Sequence, residues 1–174
     1  MKNLTLNILL IFWAAVSTAG VPTTQLTETD AIRWDSSLTL PQIDGKPNIG
    51  IAGVFSGRID GKLLIAGGAN FPDRTPAANG EKKYHRDLYI YDTSQGWQII
   101  PDALPAPRAY GVSVTLPEGV LCIGGCNAEE CTNQVLLLTL DGNQPRLTPW
   151  PPLPRPLANA AGALVGHRIY VAGG

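Results

Sequence analysis

The sequence predicts an all-β chain assembled from repeated four-stranded sheets, and three observations carry that prediction. An apolar run ending in two glycines occurs three times in 174 residues: LLIAGG at 63–68, LCIGG at 121–125 and YVAGG at 170–174. The first glycines of the pairs, Gly67, Gly124 and Gly173, lie 57 and then 49 residues apart. Nineteen glycines and fifteen prolines separate short apolar runs, and nothing reads as a long amphipathic helix. A period near 50 that closes on a glycine pair describes the blade of a kelch-type β-propeller.

The elements follow in order. Residues 32–40, IRWDSSLTL, read as a short strand carrying Trp34. Residues 49–57, IGIAGVFSG, are expected to form the first strand of the first unit, and Asp60-Gly61 is a hairpin turn signal. Lys62 to Gly68 is the return strand; its continuous apolar run predicts burial of both faces, as for a strand held between neighbouring blades. A polar insertion covers 69–86. DLYIYD at 87–92 alternates as a half-buried third strand, and GWQII at 96–100 is the fourth. The second unit repeats the order with strands over 108–116, 120–125, 134–140 and 146–150. A third unit begins at Asn159 and reaches only its second strand. The units therefore span about 49–104, 108–153 and 159–174. Gly53, Gly111 and Gly162, at 14, 13 and 11 residues before their glycine pairs, are expected at equivalent places on the first strands. Trp34, Trp97 and Trp150 recur on outer strands, where a large flat side chain fills the widening wedge between blades.

Composition sets limits on function. A formal charge of −1 gives no electrostatic case for nucleic acid or an anionic membrane. Residues 1–20 have the order of a secretory signal peptide: Lys2, an apolar core from Leu4 to Val16, and small residues at Ser17, Thr18 and Ala19. The run is short for a membrane span. A periplasmic or secreted protein is expected, with no membrane insertion after cleavage and a polar leader over 21–31. Export permits a disulfide. Cys126 and Cys131 bracket the polar loop NAEE and are the candidate pair, while Cys122 sits inside an apolar run as a small buried hydrophobe. With no histidine beside them, no metal site is expected.

The strings IGIAGVFSG (49–57) and LLIAGGANFP (63–72), followed by RAYGVSV (108–114) and GVLCIGG (119–125), resemble the kelch-type N-acetylneuraminate mutarotases, or epimerases. They are especially similar to the cyclically permuted branch, and the likeness runs from about Trp34 to the last residue. The resemblance implies a six-bladed propeller that interconverts the α and β anomers of sialic acid without metal or organic cofactor. It also implies that residues 32–40 form the closing outer strand of a last blade, within a partial propeller over 32–174. About two and a half blades are then present, so the chain reads as an N-terminal fragment lacking the remainder of the ring, inactive by itself. The glutamate and arginine associated with the family's mechanism have no motif match in these residues. The alternative is a non-catalytic kelch propeller module that binds a glycan or protein. A copper radical oxidase is disfavoured, because no cluster of tyrosine and histidine ligands with a cysteine is present.

Mutarotation opens and recloses a pyranose ring, so it needs a base for the anomeric hydroxyl and an acid for the ring oxygen. A sialic acid also brings a carboxylate, which favours a cation. In an up-and-down blade, the loop after each glycine pair and the lead-in to each first strand share one face. That topology collects Asn70, Phe71, Arg74 and Tyr84 from the insertion with Arg108 and Tyr110 from the second lead-in as substrate-binding candidates. Glu81 and His85 are the acid/base candidates, and Asn48, Lys82, Lys83, Arg155 and Asn159 belong to the same face.

Overall fold

The computed structural model describes residues 37–43 and 45–174. The signal peptide, the polar leader and Trp34 lie outside them, and residues 37–40 of the expected closing strand form no strand.

The first blade is a four-stranded antiparallel sheet of β1 (Phe55–Ile59), β2 (Lys62–Ala66), β5 (Leu88–Asp92) and β6 (Gly96–Ile100) in the order β1-β2-β5-β6. Between β2 and β5 the insertion makes a small two-stranded arm of β3 (Ala69–Asn70) and β4 (Lys83–Tyr84), with a single 3-10 turn at Pro76–Ala78. The second blade is β7 (Val112–Leu116), β8 (Gly119–Ile123), β9 (Val135–Asp141) and β10 (Gln144–Trp150), and its order is also sequential. The third sheet is the hairpin of β11 (Ala160–Val165) and β12 (Arg168–Gly173). The chain is an all-β kelch propeller segment, two four-stranded blades followed by the first hairpin of a third.

Alternation along β8 shows how the blades pack. Val120 and Cys122 turn towards the first blade, where they meet Phe55, Leu64, Leu88 and Ile90. Leu121 and Ile123 turn the other way, towards Val112, Val114, Ile169 and Val171. All five residues of β8 are buried, so its apolar run is covered on both sides. Each large side chain enclosed in these joints is worth roughly 1.5–3 kcal/mol relative to exposure. β2 differs from the expectation. Leu64 and Ala66 are buried against the second blade, but Leu63, on the opposite face, is 36% exposed. Burial of a strand's second face requires a sheet stacked on it, which β2 lacks among the described residues. On that same face Trp97 of β6 packs on Tyr91 with ring centroids 5.0 Å apart, and Trp150 packs into the joint between the second and third sheets.

The first strands begin later than the sequence suggests. β1 starts at Phe55 rather than Ile49, because Gly50 and Gly53 hold φ of 91° and 64°. β7 starts at Val112 rather than Arg108, because Tyr110 holds φ of 63°. The register also separates three glycines expected to be equivalent. Phe55 pairs with Ala66, Val112 with Ile123 and Ala161 with Ala172, each partner directly preceding its glycine pair. Counting back from them aligns Gly53 with Tyr110 and Asn159, not with Gly111 and Gly162. Gly57 and Gly111 instead make close sheet contacts: an added Cβ would stand 2.4 Å from Val120 Cγ2 or Phe55 Cε1, respectively.

Candidate functional site

The glycine pairs fix the loops on the expected face. Gly67 N–H donates to Asp87 O and Gly124 N–H donates to Gln134 O, bending the chain from the second strand towards the third. Gly68 N–H donates to Arg108 O, and Gly125 N–H donates to Leu157 O, tying each blade to the lead-in of the next. Gly67 and Gly124 have φ of 65° and 62°, and a Cβ on either would lie 2.3 Å from that next lead-in's carbonyl oxygen. Tyr110 N–H donates to Gly53 O, and Asn159 N–H donates to Tyr110 O. This ladder sets one residue per blade, Gly53, Tyr110 and Asn159, just before each innermost strand.

The arm β3–β4 is pinned to this frame by a polar chain. His85 Nε2 lies 2.9 Å from Asn70 Oδ1, and Asn70 Nδ2 donates to Gly50 O at 3.0 Å. Backbone bonds from His85 N to Gly68 O and from Arg108 N to His85 O complete the attachment. Burial holds the His85 imidazole below its usual pKa, and the Lys83 charge adds to the effect against a smaller opposing influence of Asp87. The neutral ring serves as a hydrogen-bonded brace.

Pinning the arm brings three aromatic rings around one ammonium. Lys82 Nζ stands 5.1 Å from the Tyr110 ring centroid, 5.5 Å from Phe71 and 5.9 Å from Tyr84, and donates to the Tyr110 hydroxyl at 3.3 Å. Tyr84 and Tyr110 meet edge to face with centroids 6.3 Å apart. Two grooves flank the cluster. One, of about 460 Å³, is lined by Ile51, Ala52, Asn70, Phe71, Pro76 and Tyr110. The other, of about 430 Å³, is lined by Lys82, Lys83, Tyr84, Pro107, Asn127 and Glu129.

Arg108 stands apart from these rings. It is 5% exposed, its Nη2 donates to Gln134 Oε1 at 2.5 Å, and its Nη1 is buried without a partner. Burial lowers its pKa, and burial pushes the neighbouring Cys122 thiol up to about 12. Arg108 is a fixture of the joint between blades, beside a niche of about 90 Å³ that Gln134, Thr132 and Glu130 also line. Cys126 and Cys131 are joined by a disulfide across the loop forming this wall.

Of the sequence candidates, Asn70, Phe71, Tyr84 and Tyr110 converge, with His85 behind them. Arg74 is exposed, its backbone carbonyl packed under Gly80. Glu81 is exposed and forms no ion pair with a described residue. Sequence reasoning left Gln134 unassigned. Its one available signal is positional, since it occupies the place that Asp87 holds after the first glycine pair.

Comparison with known proteins agrees with this architecture. A family model described as N-acetylneuraminate epimerase matches residues 13–147. The chain is similar to the N-acetylneuraminate epimerase of Vibrio cholerae serotype O1, at 38% identity over 120 residues, covering 63% of this chain and 31% of that protein. It is also similar to that of Brucella melitensis biotype 1, at 32% identity over 123 residues, covering 64% of this chain and 31% of the relative. The solved structure of YjhT superposes with a TM-score of 0.51 at 28% identity, over 63% of this chain and 33% of that one. The chain thus spans about a third of the length of the relatives it matches.

Proposed function

Because the chain belongs to the N-acetylneuraminate epimerase family, we propose that it forms part of a sialic acid mutarotase working in the periplasm or outside the cell. The observation that carries this reading is the cluster of Phe71, Tyr84 and Tyr110 around Lys82, between two grooves on the loop face. Both grooves fall within the size range of small-molecule sites, about 300–1,000 Å³. Aromatic walls suit the apolar face of a pyranose and an N-acetyl methyl group, and the polar brace of Asn70 offers an amide beside them.

In this reading the residues present bind and orient the sugar. Anomerisation needs removal of the proton on the anomeric hydroxyl and donation of a proton to the ring oxygen, so that the ring opens and recloses on either face. Cofactor-free chemistry suffices, since no electrons are exchanged and no group is transferred. His85 braces the arm with its ring nitrogen engaged by Asn70, a geometry that favours positioning over proton transfer.

The test follows equilibration of freshly dissolved α-N-acetylneuraminate by proton NMR, with folded protein spanning the full length of the relatives. A rate rising in proportion to protein concentration supports the enzyme. The uncatalysed rate contradicts it and favours a propeller that only binds its glycan.

A further inference from the structure

We propose that Lys82 is the residue that receives the carboxylate of the sugar, held ready for it by the rings of Phe71, Tyr84 and Tyr110. The proposal rests on the sialic acid reading and names the group that would give it anion specificity.

A lysine ammonium ordinarily moves on a flexible stem, and fixing such a side chain costs rotamer entropy. Here Nζ lies 5.1–5.9 Å from three ring centroids and bonds the hydroxyl of one of them. The rings attract the charge through their quadrupoles without neutralising it. Tyr110 Oη takes one of the three ammonium donors. The other donors remain for an anion approaching from the grooves, and Lys82 is itself exposed. The same rings supply an apolar wall, so charge and sugar-face recognition come from one cluster.

The other cations of the face are less suited. Arg108 is buried in the blade joint, with its Nη2 committed to Gln134. Arg74 is exposed on the loop without such confinement. Lys83 lines the same groove as Lys82 but makes none of the three ring contacts. No carboxylate neutralises Lys82 by an ion pair among the described residues.

The experiment measures dissociation constants of N-acetylneuraminate and its neutral methyl ester by NMR titration, using folded protein spanning the full length of the relatives, as wild type and as Lys82→Met and Lys82→Arg. The wild type is expected to prefer the acid over the ester by about tenfold, the worth of one charge-assisted hydrogen bond. Lys82→Met brings that ratio close to one; Lys82→Arg keeps the preference. Circular dichroism verifies that both variants fold. An acid-to-ester ratio unchanged in a folded Lys82→Met variant overturns the proposal and leaves the sialic acid reading standing. Equal affinity of the wild type for acid and ester overturns it in the same way. Failure of the wild type to bind either sugar overturns the proposal and the reading together.

Discussion

The amide of Tyr110 donates to the carbonyl of Gly53 at 2.7 Å, and both residues hold left-handed backbone, with φ of 63° and 64°. Asn159, at φ 57°, repeats the bond to the carbonyl of Tyr110. Left-handed backbone costs an ordinary L residue roughly 1–2 kcal/mol. Glycine meets that demand at 53 without penalty and asparagine tolerates it at 159, whereas a tyrosine at 110 accepts it while placing a ring against Lys82. Tyr110→Gly is therefore expected to leave thermal stability within about 1 kcal/mol of wild type, as relief of strain offsets lost contacts. Sugar affinity should fall at least about tenfold. A calorimetric unfolding scan beside an NMR titration separates the two effects.

Gly57 has ordinary backbone, so its constraint is steric. A Cβ there would lie 2.4 Å from Val120 Cγ2 and 2.7 Å from Thr115 Oγ1. Gly57→Ala should destabilise by about 1–3 kcal/mol through overpacking of the joint between blades. Adding Val120→Ala should recover part of the loss. Denaturant unfolding of the single and double variants measures the coupling, and strictly additive effects would show that the two side chains do not meet.

Gly67→Ala and Gly124→Ala are expected to behave alike. Each puts a Cβ on left-handed backbone and 2.3 Å from a carbonyl oxygen, of Arg108 and Leu157 respectively. Losses above about 2 kcal/mol are predicted for both. Gly142→Ala is the control: it shares the left-handed backbone but has open space around its Cβ position, so it should lose less in the same unfolding assay.

These glycines show what the sequence makes legible. The repeated pairs announce the blade period, because the same turn and the same close approach recur at each joint. The turn at Asp60-Gly61 is equally plain. The starts of the first strands are hidden, since nothing about tyrosine at 110 signals positive φ. Counting to the nearest glycine then equates Gly53 with Gly111, whereas register equates it with Tyr110. At the site, the grouping of Asn70, Phe71, Tyr84 and Tyr110 follows from blade topology, which sends their loops to one face. The burial of Arg108 against Gln134 does not, because it depends on how far the lead-in sinks between two sheets. The role of Lys82 depends on the fold of a two-stranded arm whose pairing, Ala69 with Tyr84 and Asn70 with Lys83, leaves no alternating pattern long enough to read.

His85 gives a pH dependence of definite sign. Burial lowers its pKa in the folded chain relative to the unfolded value near 6.5. The unfolded chain then binds more protons just below that value, so stability falls as pH falls. The contribution is fully present above about pH 6.5 and is lost as pH drops through the folded pKa. Thermal unfolding at stepped pH should show this decline in the wild type, and His85→Gln should show a smaller one. Equal slopes would show that His85 does not carry the effect.

The central claim is that the loop face around Tyr110, Phe71 and Lys82 is the sugar site, and amide chemical-shift mapping of folded protein spanning the full length of the relatives, during titration with N-acetylneuraminate, tests it most directly. The account predicts saturable shifts concentrated at Asn70, Phe71, Lys82, Tyr84 and Tyr110. It predicts none at the opposite hairpin ends, Asp60-Gly61 and Gly142-Asn143. Shifts confined to those hairpins, or no saturable shift at any sugar concentration, would contradict it.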